Sequence, residues 1–289
     1  MNKLLMIALL LGASVPAMAK DMPIPEKVPP AAQRIPEPAP APVATLEGVA
    51  PVKAGMPESL TINLVDAKGL PLGEDRLQTI HTKKLHLLIV DESLTDYQHV
   101  HPESAEKPGS YSFSFTPKTG HDYRIWANFA PNDEHESYIK TADLKGTVPC
   151  AAPCVDTTVS NTATQDGYVF RLSFDQKLKA GVPDMGNFMI NDSSGKPVAT
   201  LQPVLGAYAH IVAFDAGGKG VTHVHPMGDE PKSASDRGQS PLMFHIEPEQ
   251  AGFVKIFAQV NIDGKEMFVP FGQTVETGSE DPSKLIAHQ

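Results

Sequence analysis

The chain has 289 residues, 24 basic and 34 acidic side chains, and a formal net charge of −10. That length suits two domains of roughly 100–120 residues, each large enough to bury a core without a metal or disulfide as scaffold. The acidic balance argues against nucleic acid or an anionic membrane surface as a partner, and weakly favours accumulating cations.

Residues 1–19 read as a secretory signal: Lys3 supplies the positive start, Leu4 to Leu11 the apolar run, and Ala17-Met18-Ala19 the cleavage site. A retained anchor is the competing reading, but the run is too short to span a bilayer. The mature chain is therefore expected to carry no membrane span and to be periplasmic or secreted. Residues 20–44 are dense in Pro and Ala and predict an extended, semi-rigid tether.

Residues 45–148 and 166–277 repeat one another. Lys53-Ala54-Gly55-Met56-Pro57 recurs as Lys179-Ala180-Gly181-Val182-Pro183, and Asp66 to Pro71 as Asp192 to Pro197. After a gap of two residues, Leu85-His86-Leu87-Leu88-Ile89-Val90-Asp91 matches Ala209-His210-Ile211-Val212-Ala213-Phe214-Asp215. His99-Val100-His101-Pro102 then matches His223-Val224-His225-Pro226.

Each copy reads as β-structure. Leu60 to Val65 alternates and ends at the turn Asp66-Ala67-Lys68-Gly69, Ser110 to Phe115 alternates, and Tyr123 to Phe129 is matched by Phe253 to Val260. No long stretch has helical period. The predicted fold is all-β: two tandem immunoglobulin-like or cupredoxin-like β-sandwiches. Between them, residues 149–165 form a linker containing both cysteines, Cys150 and Cys154. A short-range disulfide and a C-x3-C copper or redox site are the alternatives there. Residues 278–289 form an acidic tail.

Both copies carry the pattern H-x12-H-V-H-P. His86 lies on one strand, and His99 and His101 on the next. Residues i and i+2 of a strand share a face, so His99 and His101 can converge on one ion. His86 joins them only if even-numbered residues of its strand face odd-numbered ones of the next; a slip of one residue would turn it away. His210, His223 and His225 repeat the spacing, with different residues in the loop. Imidazole suits Cu(II), Zn(II) and Ni(II), so one three-histidine metal site per domain is expected. Extra ligands could come from Met227 and His245 in the second copy, or from Glu103, His121 and His135 in the first. Histidines that merely satisfy hydrogen bonds at the end of a sheet are the bland alternative.

The repeat unit resembles exported bacterial YtkA-like and other cupredoxin-like metal-associated domains. Gly206-Ala207-Tyr208-Ala209-His210-Ile211-Val212, His223-Val224-His225-Pro226 and Gly195-Lys196-Pro197-Val198 carry the resemblance, although Thr82 replaces the glycine found at Gly206. It implies a β-sandwich and heavy-metal handling, especially of copper. The leading expectation is a periplasmic copper-binding protein for storage, delivery or tolerance, with zinc or nickel as alternative ions and a metal-handling protein as a possible partner. A metal-dependent redox or hydrolytic enzyme is one competing reading. A structural or adhesion module is another.

Overall fold

The computed structural model describes residues 41–278, apart from residues 81, 135, 136 and 225 and the side chain of His223. The expected signal, most of the tether and the tail lie outside the described residues, as do His81, His135, His225 and His288. Among the described residues no helix is long and apolar enough to cross a membrane.

The first repeat consists of β1 (Val43–Glu47), β2 (Glu58–Val65), β3 (Leu85–Asp91), β4 (Tyr97–Val100), β5 (Glu103–Ser104), β6 (Ser110–Phe115), β7 (Tyr123–Phe129) and β8 (Tyr138–Leu144). The second consists of β9 (Thr162–Gln165), β10 (Tyr168–Phe174), β11 (Asp184–Asn191), β12 (Leu201–Gln202), β13 (His210–Asp215), β14 (Val221–Val224), β15 (Leu242–Ile246), β16 (Gly252–Ile262) and β17 (Lys265–Val275). Sheets ordered β1-β2-β6-β5 and β4-β3-β7-β8 face each other in the first repeat. In the second, β15-β11-β10-β9 faces β12-β16-β13-β14, with β17 added beside β16. The molecule is thus two tandem all-β sandwiches.

Alternation fills each core. Leu60, Ile62 and Leu64 of β2 point inward against Leu85, Leu87 and Ile89 of β3 and Ile125, Ala127 and Phe129 of β7. Phe170, Phe188, Phe244 and Phe271 dominate the second core. Each such side chain contributes about 1.5–3 kcal/mol when fully buried.

Strand β3 departs from simple alternation, because all seven of its residues are buried. A strand with one wet face alternates, whereas one covered on both faces reads as a continuous apolar run. Here the outer cover is the other repeat. Leu88, Val90, Leu94, Tyr97 and Trp126 pack against Val212, Phe214, Val221 and Phe257 in a third apolar cluster. The Tyr97 ring lies 5.4 Å from Phe214, 5.1 Å from Phe257 and 5.5 Å from Phe268. The two sandwiches therefore join through the outer faces of their β3 and β13 sheets.

The linker contains a Cys150–Cys154 disulfide. Its Cys150 N–H donates to Glu92 Oε1 at 3.2 Å, and Val155 packs on the interface cluster.

Candidate metal centre

The connection between β3 and β4 is closed by its own carboxylate. Asp91 accepts from the backbone of Thr95 and Asp96 at 2.8 and 2.9 Å. In the second repeat Asp215 accepts from the N–H groups of Lys219 and Gly220. Leu94 and Gly218 occupy equivalent places there, both with positive φ, 55° and 61°. One carboxylate thus caps two loops of different composition and the same length.

That length sets the histidine register. Leu88 pairs with His99 and Leu87 with Val100, so continuing the ladder puts His86 across from His101. All three imidazoles lie on the outer face of the sheet. The second repeat pairs Val212 with His223, the same register.

His86 and His99 are buried, at 1% and 5% exposure, and His101 is half-buried. His86 Nδ1 lies 3.3 Å from His99 Nε2 and 3.0 Å from His101 Nε2. One ring nitrogen from each histidine falls in a group whose members all lie within 4.8 Å of one another.

Neighbouring groups set the tautomers. Ile80 O lies 2.9 Å from His86 Nε2 and can only accept, so Nε2 carries the proton and Nδ1 keeps its lone pair. Gln259 Nε2 donates to Glu266, which turns Gln259 Oε1 toward His99 Nδ1 at 3.1 Å. His99 Nδ1 is therefore the donor, and its Nε2 lone pair faces the group. Three nitrogens bound to one ion at about 2.0–2.1 Å would stand about 2.9–3.4 Å apart for bond angles between 90° and tetrahedral. The 3.0 and 3.3 Å separations fall in that range. Burial first, then the charges of His86, His210 and Lys83, push the His101 pKa from 6.5 down to about 3. The ring is neutral, as a metal ligand must be.

The sequence treats the two triplets as separate, but His210 belongs to the same neighbourhood. It is fully buried, its ring centroid lies 4.8 Å from that of His99, and its Nε2 donates to Val204 O at 3.0 Å. It repeats the role of His86. The side chain of His223 and all of His225 lie outside the described residues.

Of the extra ligands proposed for the first repeat, neither Glu103 nor His121 joins the group. Met227 is 57% exposed, His245 and Glu103 are exposed on their strands, and His121 binds Val148 O at 3.1 Å. Sequence reasoning missed Gln259. Its signal was a lone polar side chain in the apolar run Phe257-Ala258-Gln259-Val260.

No curated protein sequence matches this chain. Among solved structures, Escherichia coli alpha-2-macroglobulin activated by porcine elastase is similar at 12% identity and a TM-score of 0.25, over 82% of this chain and 20% of that one. The native conformation of E. coli alpha-2-macroglobulin gives 13% identity and a TM-score of 0.26, over 82% and 14%. A structure titled Rst D1-D2 gives 11% identity and a TM-score of 0.22, over 82% and 100%. This chain thus spans a fifth or less of those alpha-2-macroglobulin chains. A family profile described as "Domain of unknown function (DUF8832)" matches residues 43–146 and again 162–277. The repeat recognised in the sequence is that domain twice over, and the chain belongs to the DUF8832 family.

Proposed function

We propose that this protein binds a transition-metal ion through His86, His99 and His101, and that it carries copper outside the cytoplasm. The convergence of the three ring nitrogens supports the reading. A cation between His86 Nδ1 and His99 Nε2, which lie 3.3 Å apart, would meet a lone pair from each. Acceptors at the far nitrogens of both rings orient them, as the outer partners of metal-bound histidines do. Three neutral imidazoles favour Cu(II) over Zn(II) and Ni(II) by the usual order of divalent affinities. The Cys150–Cys154 disulfide suits an oxidising compartment, in line with the signal-like residues 1–19.

The test is metal content and Cu(II) titration of the mature chain, purified without a histidine tag. The wild type should bind Cu(II) tightly, and His99→Ala with His101→Ala should abolish binding at this group while leaving the far-UV CD unchanged. A wild type that binds no more metal than that variant overturns the reading.

A further inference from the structure

We infer that the metal centre is assembled across the interface between the repeats, with Gln259 of the second repeat as the positioning residue for His99 of the first. The inference rests on the metal-binding reading. Gln259 is fully buried on β16, where it pairs with His210. Its amide is a relay with a fixed direction: Nε2 donates to Glu266, and Oε1 accepts from His99 Nδ1 at 3.1 Å. His99 itself is buried at the seam, 4.8 Å from the His210 ring. A buried imidazole with no acceptor for its Nδ1–H would move that proton to Nε2 or turn, and either change removes a ligand atom from the group.

The amide at the equivalent position differs between the repeats. The residue that pairs with His86 as Gln259 pairs with His210 is Asn128, one methylene shorter. Asn128 Oδ1 is buried without a hydrogen-bond partner among the described residues. A metal at His86, His99 and His101 therefore depends on how the repeats dock. By reciprocity, an ion bound there tightens the docking by the same free energy.

The experiment titrates the full mature chain with Cu(II) against a competing chelator and records the visible spectrum of its Co(II) form. Gln259→Leu should bind Cu(II) about 10–100-fold more weakly, the usual effect of losing an outer partner, with an altered Co(II) spectrum. Gln259→Glu combined with Glu266→Gln reverses the polarity of the relay and keeps both hydrogen bonds. That pair should bind at least as tightly as wild type and shift the Co(II) bands, because a carboxylate acceptor makes His99 more basic. Wild-type affinity and spectrum in Gln259→Leu overturn the inference. So does a wild-type Co(II) spectrum in the swapped pair, which decides the matter even if the leucine variant fails to fold. A wild-type chain that binds neither ion overturns the metal-binding reading and this inference with it, and is recognised before any variant is compared.

Discussion

Thr82 and Gly206 occupy the same position in the two repeats, and they meet. Both have positive φ, 74° and 85°, and a Cβ on Gly206 would collide with Thr82 Oγ1. Equivalent residues in contact mark a local twofold axis, so the repeats face each other as the halves of a symmetric pair. Gly206→Ala meets both the strained φ and the Thr82 side chain. It should cost at least about 1–3 kcal/mol, read as a lower urea midpoint with an unchanged slope. Thr82→Gly removes a β-branched residue from the left-handed region and should be neutral or stabilising. A stabilised Gly206→Ala would contradict the axis.

Tyr97 stands at the centre of the interface cluster, and its hydroxyl is buried without a hydrogen-bond partner among the described residues. Burial, with the charge of Glu266 behind it, holds its pKa well above the ordinary tyrosine value. An unsatisfied buried polar atom costs about 1–3 kcal/mol. Tyr97→Phe keeps the contacts with Phe214, Phe257 and Phe268 and should stabilise the protein by about 1 kcal/mol. A loss of that size would mean that the hydroxyl has a partner.

The pH dependence of the metal-free fold follows from His101. Its folded pKa of about 3 lies below the unfolded reference of 6.5, so between those values the unfolded chain binds the extra proton. Stability is fully present above 6.5 and falls as pH drops through the window, by at most about 1.4 kcal/mol per pH unit and by less for a half-buried ring. Urea unfolding with a chelator present, at about pH 7 and about pH 5, should show the decline, and His101→Gln should flatten it. An identical decline in His101→Gln would assign it to other groups.

The disulfide encloses only the run from Cys150 to Cys154, and short loops gain least from closure. Cys150→Ser with Cys154→Ser should lower stability by about 2 kcal/mol or less and leave Cu(II) affinity unchanged. A drop in Cu(II) binding would move the site to sulfur and Glu92.

Much of this arrangement was legible in the sequence. The duplication, the alternating strands and the spacing of His86, His99 and His101 all have local causes, and the equal loops capped by Asp91 and Asp215 keep the register. The docking of one repeat on the other was not read, because no short-range pattern names the surface that covers a strand. The unbroken apolar run Leu87 to Val90 was the available hint, since a sandwich strand with one wet face would alternate there. Gln259 escaped for a related reason. It lies 160 residues from His99 in the chain, and only the fold brings the two together.

The linker between the sandwiches has a consequence for association. Two separate polypeptides sharing this apolar seam would meet at a rate set by their concentration and would part on dilution. A short tether instead holds the two halves at an effective concentration in the millimolar range. The buried seam, with Tyr97, Trp126 and the histidines along it, therefore stays closed however dilute the protein becomes. A few copies in a large volume would keep the group of His86, His99 and His101 assembled as fully as a concentrated stock.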